Sequence, residues 1–280
     1  MNAEATKALF KREKVCVVIP TYNNDKTVVD VIRQVMAYCD DILVVDDGST
    51  DTTSKVLQTL PSSVTIITHT TNRGKGKALT TGFKNAMEQG FSYAITLDAD
   101  GQHYATDLPL FAEALTTHSN TLIVGSRQFG LPNMPQKSSF ANRFSNFWFT
   151  VQTGKRLPDT QTGYRLYPLC KMGRMKLVSS RYEAELALLV RSAWRGIPIV
   201  PIPINVYYPP KEERVSHFRP GWDFFRISLL NAYFTFAAIL YGYPAMLAHH
   251  VKFKIQRTKN RVETRRAASE IQNSKTDNSK

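Results

Sequence analysis

The sequence predicts an α/β protein built on a mostly parallel sheet flanked by helices, and three observations carry that expectation. Four short apolar runs, Val15 to Pro20, Ile42 to Val45, Tyr93 to Leu97 and Thr121 to Val124, read as strands buried on both faces. Segments with helical spacing lie between them, as βαβ units require. Finally, two of the runs end in carboxylates and glycine, Asp46-Asp47-Gly48 and Asp98-Ala99-Asp100-Gly101. Ligand sites of open α/β sheets lie just outside such carboxyl ends.

In chain order, Val15 to Pro20 is a strand closed by proline. Thr27 to Tyr38 places Val28, Val31, Ile32 and Val35 on one helical face, with Asn24 or Asp25 as the N-cap. After Ile42 to Val45, a helix over Asp51 to Leu60 stops at Pro61. Val64 to Thr68 alternates like a strand. A glycine-rich loop then opens a helix from Gly74 to Gln89. The strand Tyr93 to Leu97 follows, then a helix over Leu108 to Leu115 and the strand Thr121 to Val124. Beyond Ser126 the pattern loosens: Pro132, Pro135, Gly154, Pro158 and Gly163 break the chain around an aromatic, helix-like stretch from Phe140 to Val151. Glu183 to Trp194 reads as a helix. Ile197 to Tyr207, carrying Pro198, Pro201 and Pro203, fits only an edge strand.

A chain of 280 residues holds one large domain and an appendage, and a hydrophobic share of 42% excludes global disorder. Cys16, Cys39 and Cys170 are widely spaced and read as reduced thiols of a cytosolic protein. Met1 to Lys14 is polar and charged, with no apolar stretch behind it, so no secretory signal is expected. The net charge of +13 points to nucleic acid, an anionic membrane surface or phosphorylated substrates. About half of that excess lies beyond His249, directly after an uncharged apolar segment. Basic clusters beside apolar helices are drawn to anionic lipid, and the basic residues form no RNA-binding or helix-turn-helix frame. A membrane surface is therefore the expected partner, and nucleic acid is not.

Asp98 and Asp100 repel each other across Ala99 unless a cation sits between them. Hard divalent ions with oxygen ligands, Mg²⁺ or Mn²⁺, suit such a pair, with substrate phosphate completing the shell.

Five segments occur in order: Val18-Ile19-Pro20-Thr21-Tyr22-Asn23, Val45 to Asp51, Asn72-Arg73-Gly74-Lys75-Gly76, Leu97 to His103 and Val124-Gly125-Ser126-Arg127. Together they resemble family 2 glycosyltransferases of the GT-A fold, in the subgroup of dolichyl- and polyprenyl-phosphate sugar synthases, over roughly Val15 to Tyr208. The resemblance implies inverting transfer of a sugar from a nucleotide-diphosphate donor to a membrane lipid. It implies that Pro20, Tyr22, Asp46 and Asp47 line the nucleotide, and that Arg73, Gly74 and Lys77 complete that pocket. For Asp46 to Ser49 a turn that caps the next helix is the alternative, and both readings can hold at once. Asp98, Asp100 and Gln102 would hold the metal that bridges the donor diphosphate. Arg127 and Arg143 would grip phosphate, and Asp159 to Arg165 would shape the acceptor side. Glu183 or Glu185 could serve as general base for a hydroxyl acceptor; a phosphate acceptor needs none. Arg214 matches a phosphate-binding arginine of the subgroup. The Gly-x-Ser-Lys element that follows it there is replaced here by Val215 to Pro220, with Arg219 and His217 as the remaining basic groups.

Domain boundaries follow: an N-terminal extension 1–14, a catalytic domain 15–210, an acceptor loop and membrane-associated helix or hairpin 211–250, and a basic tail 251–280. Ile227 to Ala248 carries no charge and is about long enough to span a bilayer. A single span would place the basic tail outside, against the positive-inside rule. An interfacial helix, or a hairpin bent at Gly242-Tyr243-Pro244, keeps both ends at the cytoplasmic face of the membrane. A soluble helix pair or an oligomer contact is the alternative. From another class, Leu97 to Gly101 resembles the nucleophile strand of haloacid-dehalogenase-type phosphatases. Gln102 and the late position of the strand argue against it.

Overall fold

The structure is a computed structural model that describes residues 1–127, 136–173, 183–207, 220–252 and 254. Its centre is a seven-stranded sheet in the order β3-β2-β1-β4-β6-β5-β7. The strands are β1 (Val15–Thr21), β2 (Ile42–Asp46), β3 (Val64–Thr68), β4 (Tyr93–Thr96), β5 (Leu122–Arg127), β6 (Arg165–Pro168) and β7 (Ile199–Ile204). Every pairing is parallel except those of β6, which runs antiparallel to β4 and β5. The proline-rich β7 takes the edge beside β5, where its missing N–H groups face no ladder partner.

Helices cover both faces. They are α1 (Ala3–Glu13), α2 (Val28–Met36), α3 (Thr53–Leu57), α4 (Lys75–Glu88), α5 (Leu108–Thr117), α6 (Gln136–Thr153), α7 (Leu169–Met172), α8 (Glu183–Trp194) and α9 (Pro220–Ala237). Strand side chains alternate between the faces. β1 accordingly sends Val15, Val17 and Ile19 into one core with α1, α2 and α5, and Cys16 and Val18 into the other with α4, α6, α8 and α9. The three cysteines are free, and only Cys170 is exposed.

Three elements differ from the sequence expectation. The N-terminal extension is a helix that buries Leu9 and Phe10 in the core, with Asn2 accepting from the Ala5 N–H as its cap. α2 takes Thr27 rather than Asn24 or Asp25 at the N-cap position. The Thr27 hydroxyl bonds not to the helix but to the Ala99 carbonyl, at 2.6 Å. At the C-terminus the chain does not turn back at Gly242. α9 runs through a π-helical turn, Ala238–Gly242, into further helix over 243–252. Pro244 supplies the reason, because its ring would clash with the carbonyl four residues back and the wider turn moves that carbonyl away.

Candidate active site

Parallel strands β1, β2 and β4 end on the same edge of the sheet, so their following loops converge there. After β2, Asp46 is fully buried. Its Oδ1 accepts from the Ser49 N–H at 2.9 Å and its Oδ2 from the Ser54 hydroxyl at 2.5 Å, which closes the turn into α3. Asp47 reaches across to the glycine-rich loop. It accepts from the Arg73 and Gly74 N–H groups at 3.0 and 2.6 Å, and pairs with His69 Nδ1 at 2.7 Å. Gly48, at φ +73, lies where a Cβ would come within 2.5 Å of the Thr71 backbone, so only glycine lets the two loops touch. Both aspartates are thus committed to holding loops in place. An Asp46 carboxylate with no exposed surface meets a ligand only if its turn opens.

The loop after β4 carries Asp98 and Asp100. The Ala99 carbonyl between them is held by Thr27, and Gly101 turns the chain at φ +75. Lys75, the first residue of α4, lies against this loop. Its Nζ is 2.7 Å from Asp98 Oδ1, 2.9 Å from Asp98 Oδ2 and 3.2 Å from Glu185 Oε1. Burial disfavours the ammonium, yet the two carboxylates outweigh it and hold Lys75 well above its ordinary pKa. Burial pushes Asp98 up, and Lys75 overrides it to bring the carboxyl below its usual value. Among the described residues Asp100 has no such ion-pair partner. Desolvation first, and the Asp98 charge second, raise it to about 6. Glu185 projects from α8, and its backbone carbonyl accepts from Arg165 Nη1 at 2.7 Å. Gly163 leaves room for the cluster, since a Cβ there would lie 2.8 Å from Asp98 Oδ2 and 2.9 Å from Glu185 Oε1.

Further along, Gln102 donates its N–H to Asp100 Oδ1 at 3.0 Å and accepts from the Tyr207 N–H at 2.9 Å. His103 stacks on Tyr164, and burial lowers it to about 4, so it is neutral at pH 7. At the end of β5, Arg127 donates from Nε and Nη2 to the Asp159 carboxylate at 2.6 and 3.0 Å. The fork expected to grip phosphate is therefore directed at Asp159 in this structure.

A family model described as glycosyl transferase family 2 matches residues 16–178, more than half of the chain. The chain belongs to glycosyltransferase family 2. Among relatives of this glycosyltransferase, a UDP-N-acetylglucosamine–dolichyl-phosphate N-acetylglucosaminyltransferase of Methanococcus voltae is 30% identical over 212 residues, covering 68% of this chain and 84% of that one. An undecaprenyl-phosphate mannosyltransferase of Micrococcus luteus is 30% identical over 203 residues, covering 69% and 83%. Of solved structures, glucosyl-3-phosphoglycerate synthase from Mycobacterium tuberculosis in complex with UDP superposes with a TM-score of 0.61 at 16% identity, over 85% of this chain and 84% of that one. The same enzyme with Mn²⁺, UDP and its glucosylated product gives 0.57 at 17% identity, over 76% and 78%. These likenesses establish the GT-A fold.

On that fold, the predicted site residues fall into four groups. Pro20, Tyr22, Asp46, Asp47, Arg73, Gly74, Asp98, Asp100 and Gln102 lie on the loops and strand ends described, and Lys77 in the first turn of α4, with Arg73 and Lys77 exposed. Arg127, Asp159 and Arg165 lie beside them, but Arg165 is fully buried and tied to the Glu185 and Thr160 carbonyls. It builds the site from beneath. Arg143 is exposed on α6, away from these contacts. Arg214, His217 and Arg219, and the side chain of Glu183, lie outside the described residues. Two residues that the sequence reading placed only within longer segments take specific parts: Lys75, of the stretch Arg73 to Lys77, pairs with Asp98 and Glu185, and Gly163, of Asp159 to Arg165, leaves room for them. Among the described residues no three His, Cys, Asp or Glu side chains cluster closely enough to enclose a metal ion.

Proposed function

We propose that this glycosyltransferase moves a hexose from a nucleotide-diphosphate sugar to a polyprenyl phosphate, with inversion, at the cytoplasmic face of a membrane. The observation that carries the reading is the carboxylate pair at the end of β4. The two carboxylates stand one residue apart on the loop, and burial first and the Asp98 charge second raise Asp100 to about 6. Such a pair fits a hard divalent ion, Mg²⁺ or Mn²⁺. These ions are commonly held by one or two carboxylates, with water and substrate phosphate filling the rest of the shell. Asp98 and Asp100 would hold it, with Gln102 at hand, and the bound ion would neutralise charge developing on the leaving diphosphate.

The acceptor oxygen then attacks the anomeric carbon as the bond to the diphosphate oxygen breaks, and the electron pair leaves with the nucleoside diphosphate. A phosphate acceptor, which needs no base, fits the resting site, where Glu185 Oε1 is ion-paired to Lys75. The relatives named for lipid phosphates support the same choice. Arg214, with Arg219 or Arg127 assisting, is the proposed grip on the acceptor phosphate.

Membrane attachment is proposed for the C-terminal helix. Leu229, Tyr233, Phe236, Leu240 and Leu247 recur at helical spacing on its outer side and are half or more exposed. Such a stripe, followed by basic residues, suits a helix lying in the headgroup zone. Among the described residues no helix is long and apolar enough to cross a membrane.

The test is transfer from a panel of donors, including UDP-glucose and UDP-N-acetylglucosamine, to polyprenyl phosphate or polyprenol in detergent with Mn²⁺. Product should form only on the phosphate. Asp100→Asn should cut turnover by about a hundredfold or more, the scale of removing one electrostatic element from a transition-state site. Glu185→Gln should leave a nucleophile that needs no base largely active. Transfer to polyprenol that depends on Glu185 would overturn the acceptor.

A further inference from the structure

A cation already occupies the carboxylate site, and it belongs to the chain. Lys75 Nζ contacts both oxygens of Asp98 and also Glu185 Oε1, at 2.7, 2.9 and 3.2 Å. Asp100, the second carboxylate, instead turns Oδ1 back to the Gln102 N–H at 3.0 Å. A divalent ion bound through Asp98 needs a lone pair that here faces an ammonium. The root of Lys75 is fixed, because the preceding Gly74 N–H is held by Asp47 at 2.6 Å. The four-carbon stem beyond it is free to change rotamer, as lysine stems are. Around the contact, Gly163 presents no side chain that could bear on the carboxylates in place of the ammonium.

We propose that Lys75 is the resident counter-ion of the donor site: it neutralises Asp98 and Glu185 until a divalent ion arrives, and it must leave Asp98 for that ion to coordinate. The inference deepens the function proposed above and rests on its assignment of Asp98 and Asp100 as ligands. An incoming diphosphate offers the displaced ammonium a new anion, so ion and donor enter together and the ion alone binds weakly. Lys75 then acts as a positioning residue that sets the order of assembly.

Mn²⁺ binding to the full-length protein, measured calorimetrically without nucleotide and again with UDP, tests this. Lys75→Met should bind Mn²⁺ alone about tenfold tighter or better than the parent, a change of about 1.4 kcal/mol. UDP should add much less to its affinity than to the parent's. Lys84→Met removes an equal charge from the same helix at an exposed position whose ion pair is to Glu88, outside the cluster, and should change Mn²⁺ affinity by less than about threefold, the scale of a screened surface charge. A second readout needs no variant: Mg²⁺ added to the parent at concentrations that saturate the site should raise the acetic anhydride labelling of Lys75. Equal or weaker Mn²⁺ binding by Lys75→Met, equal tightening by Lys84→Met, or unchanged labelling of Lys75 overturns the counter-ion role. The metal assignment survives any of these if Asp100→Asn still abolishes the parent's Mn²⁺ binding. If neither the parent nor Lys75→Met binds Mn²⁺, with or without UDP, both fall.

Discussion

Arg127 and Asp159 show how one ion pair can serve both stability and site geometry. The Asp159 side chain has no exposed surface, and Arg127 meets it with two side-chain N–H groups and its backbone N–H. Burial alone would raise the carboxyl, but the hydrogen bonds and charge of Arg127 outweigh it and hold Asp159 below its ordinary value. A carboxyl lowered on folding contributes stability above its unfolded pKa and loses it as pH falls through the folded one. The intact pair should therefore resist acid until below the usual carboxylate range. Arg127→Met leaves the buried carboxylate without its partner, a change that typically costs about 3–5 kcal/mol. It should also move the acid limb of urea-unfolding stability to higher pH, since burial then dominates. An acid limb identical to the parent's would mean the pair contributes nothing to the fold.

The C-terminal helix shows the same dependence on context at the level of an element. Its inner side, Leu230, Asn231, Phe234 and Ala238, packs on α6 and α8, while its outer side is left apolar and exposed. Trp194 of α8 anchors it. The indole donates to the Gln152 carbonyl at 2.8 Å and meets Phe234 edge-on at 5.6 Å. Gly242 closes on that indole so tightly that a Cβ would lie 2.4 Å from it. Overpacking of this kind costs about 1–3 kcal/mol. Gly242→Ala should show that loss in urea unfolding, together with a change in Trp194 fluorescence. A variant as stable as the parent, with unaltered fluorescence, would show that the helix does not dock here.

For the whole molecule, the governing feature is where charge and apolar surface meet. The chain carries +13, and Lys252 and Lys254 are exposed just beyond the apolar stripe of the C-terminal helix. Each basic residue near an anionic bilayer contributes about 1 kcal/mol, screened by salt, while apolar insertion is not screened. The full-length protein should therefore sediment with vesicles containing phosphatidylglycerol and be released only partly by high salt. Replacing Phe236 and Leu240 with glutamate should release it fully. Failure of the parent to bind such vesicles at physiological ionic strength would remove the membrane from the proposed function.

Apolar runs, helical spacing and the acidic strand ends are local patterns, and each follows from residues within a few positions of one another. They were enough to establish the parallel strands, most helices, the edge position of β7 and the Asp98–Asp100 pair. β6 escaped because four residues, Arg165–Pro168, carry no period of their own and become a strand only between β4 and β5. The duties of charged residues were likewise settled by distance in space. Asp46 and Asp47 brace loops, Arg127 faces Asp159, and Lys75 joins Asp98 to Glu185. An ion pair falls off with separation, and that separation is set by strands and helices distant in the chain. The sequence alone placed two carboxylates at the end of one buried strand; only the tertiary structure decided which charge answers which.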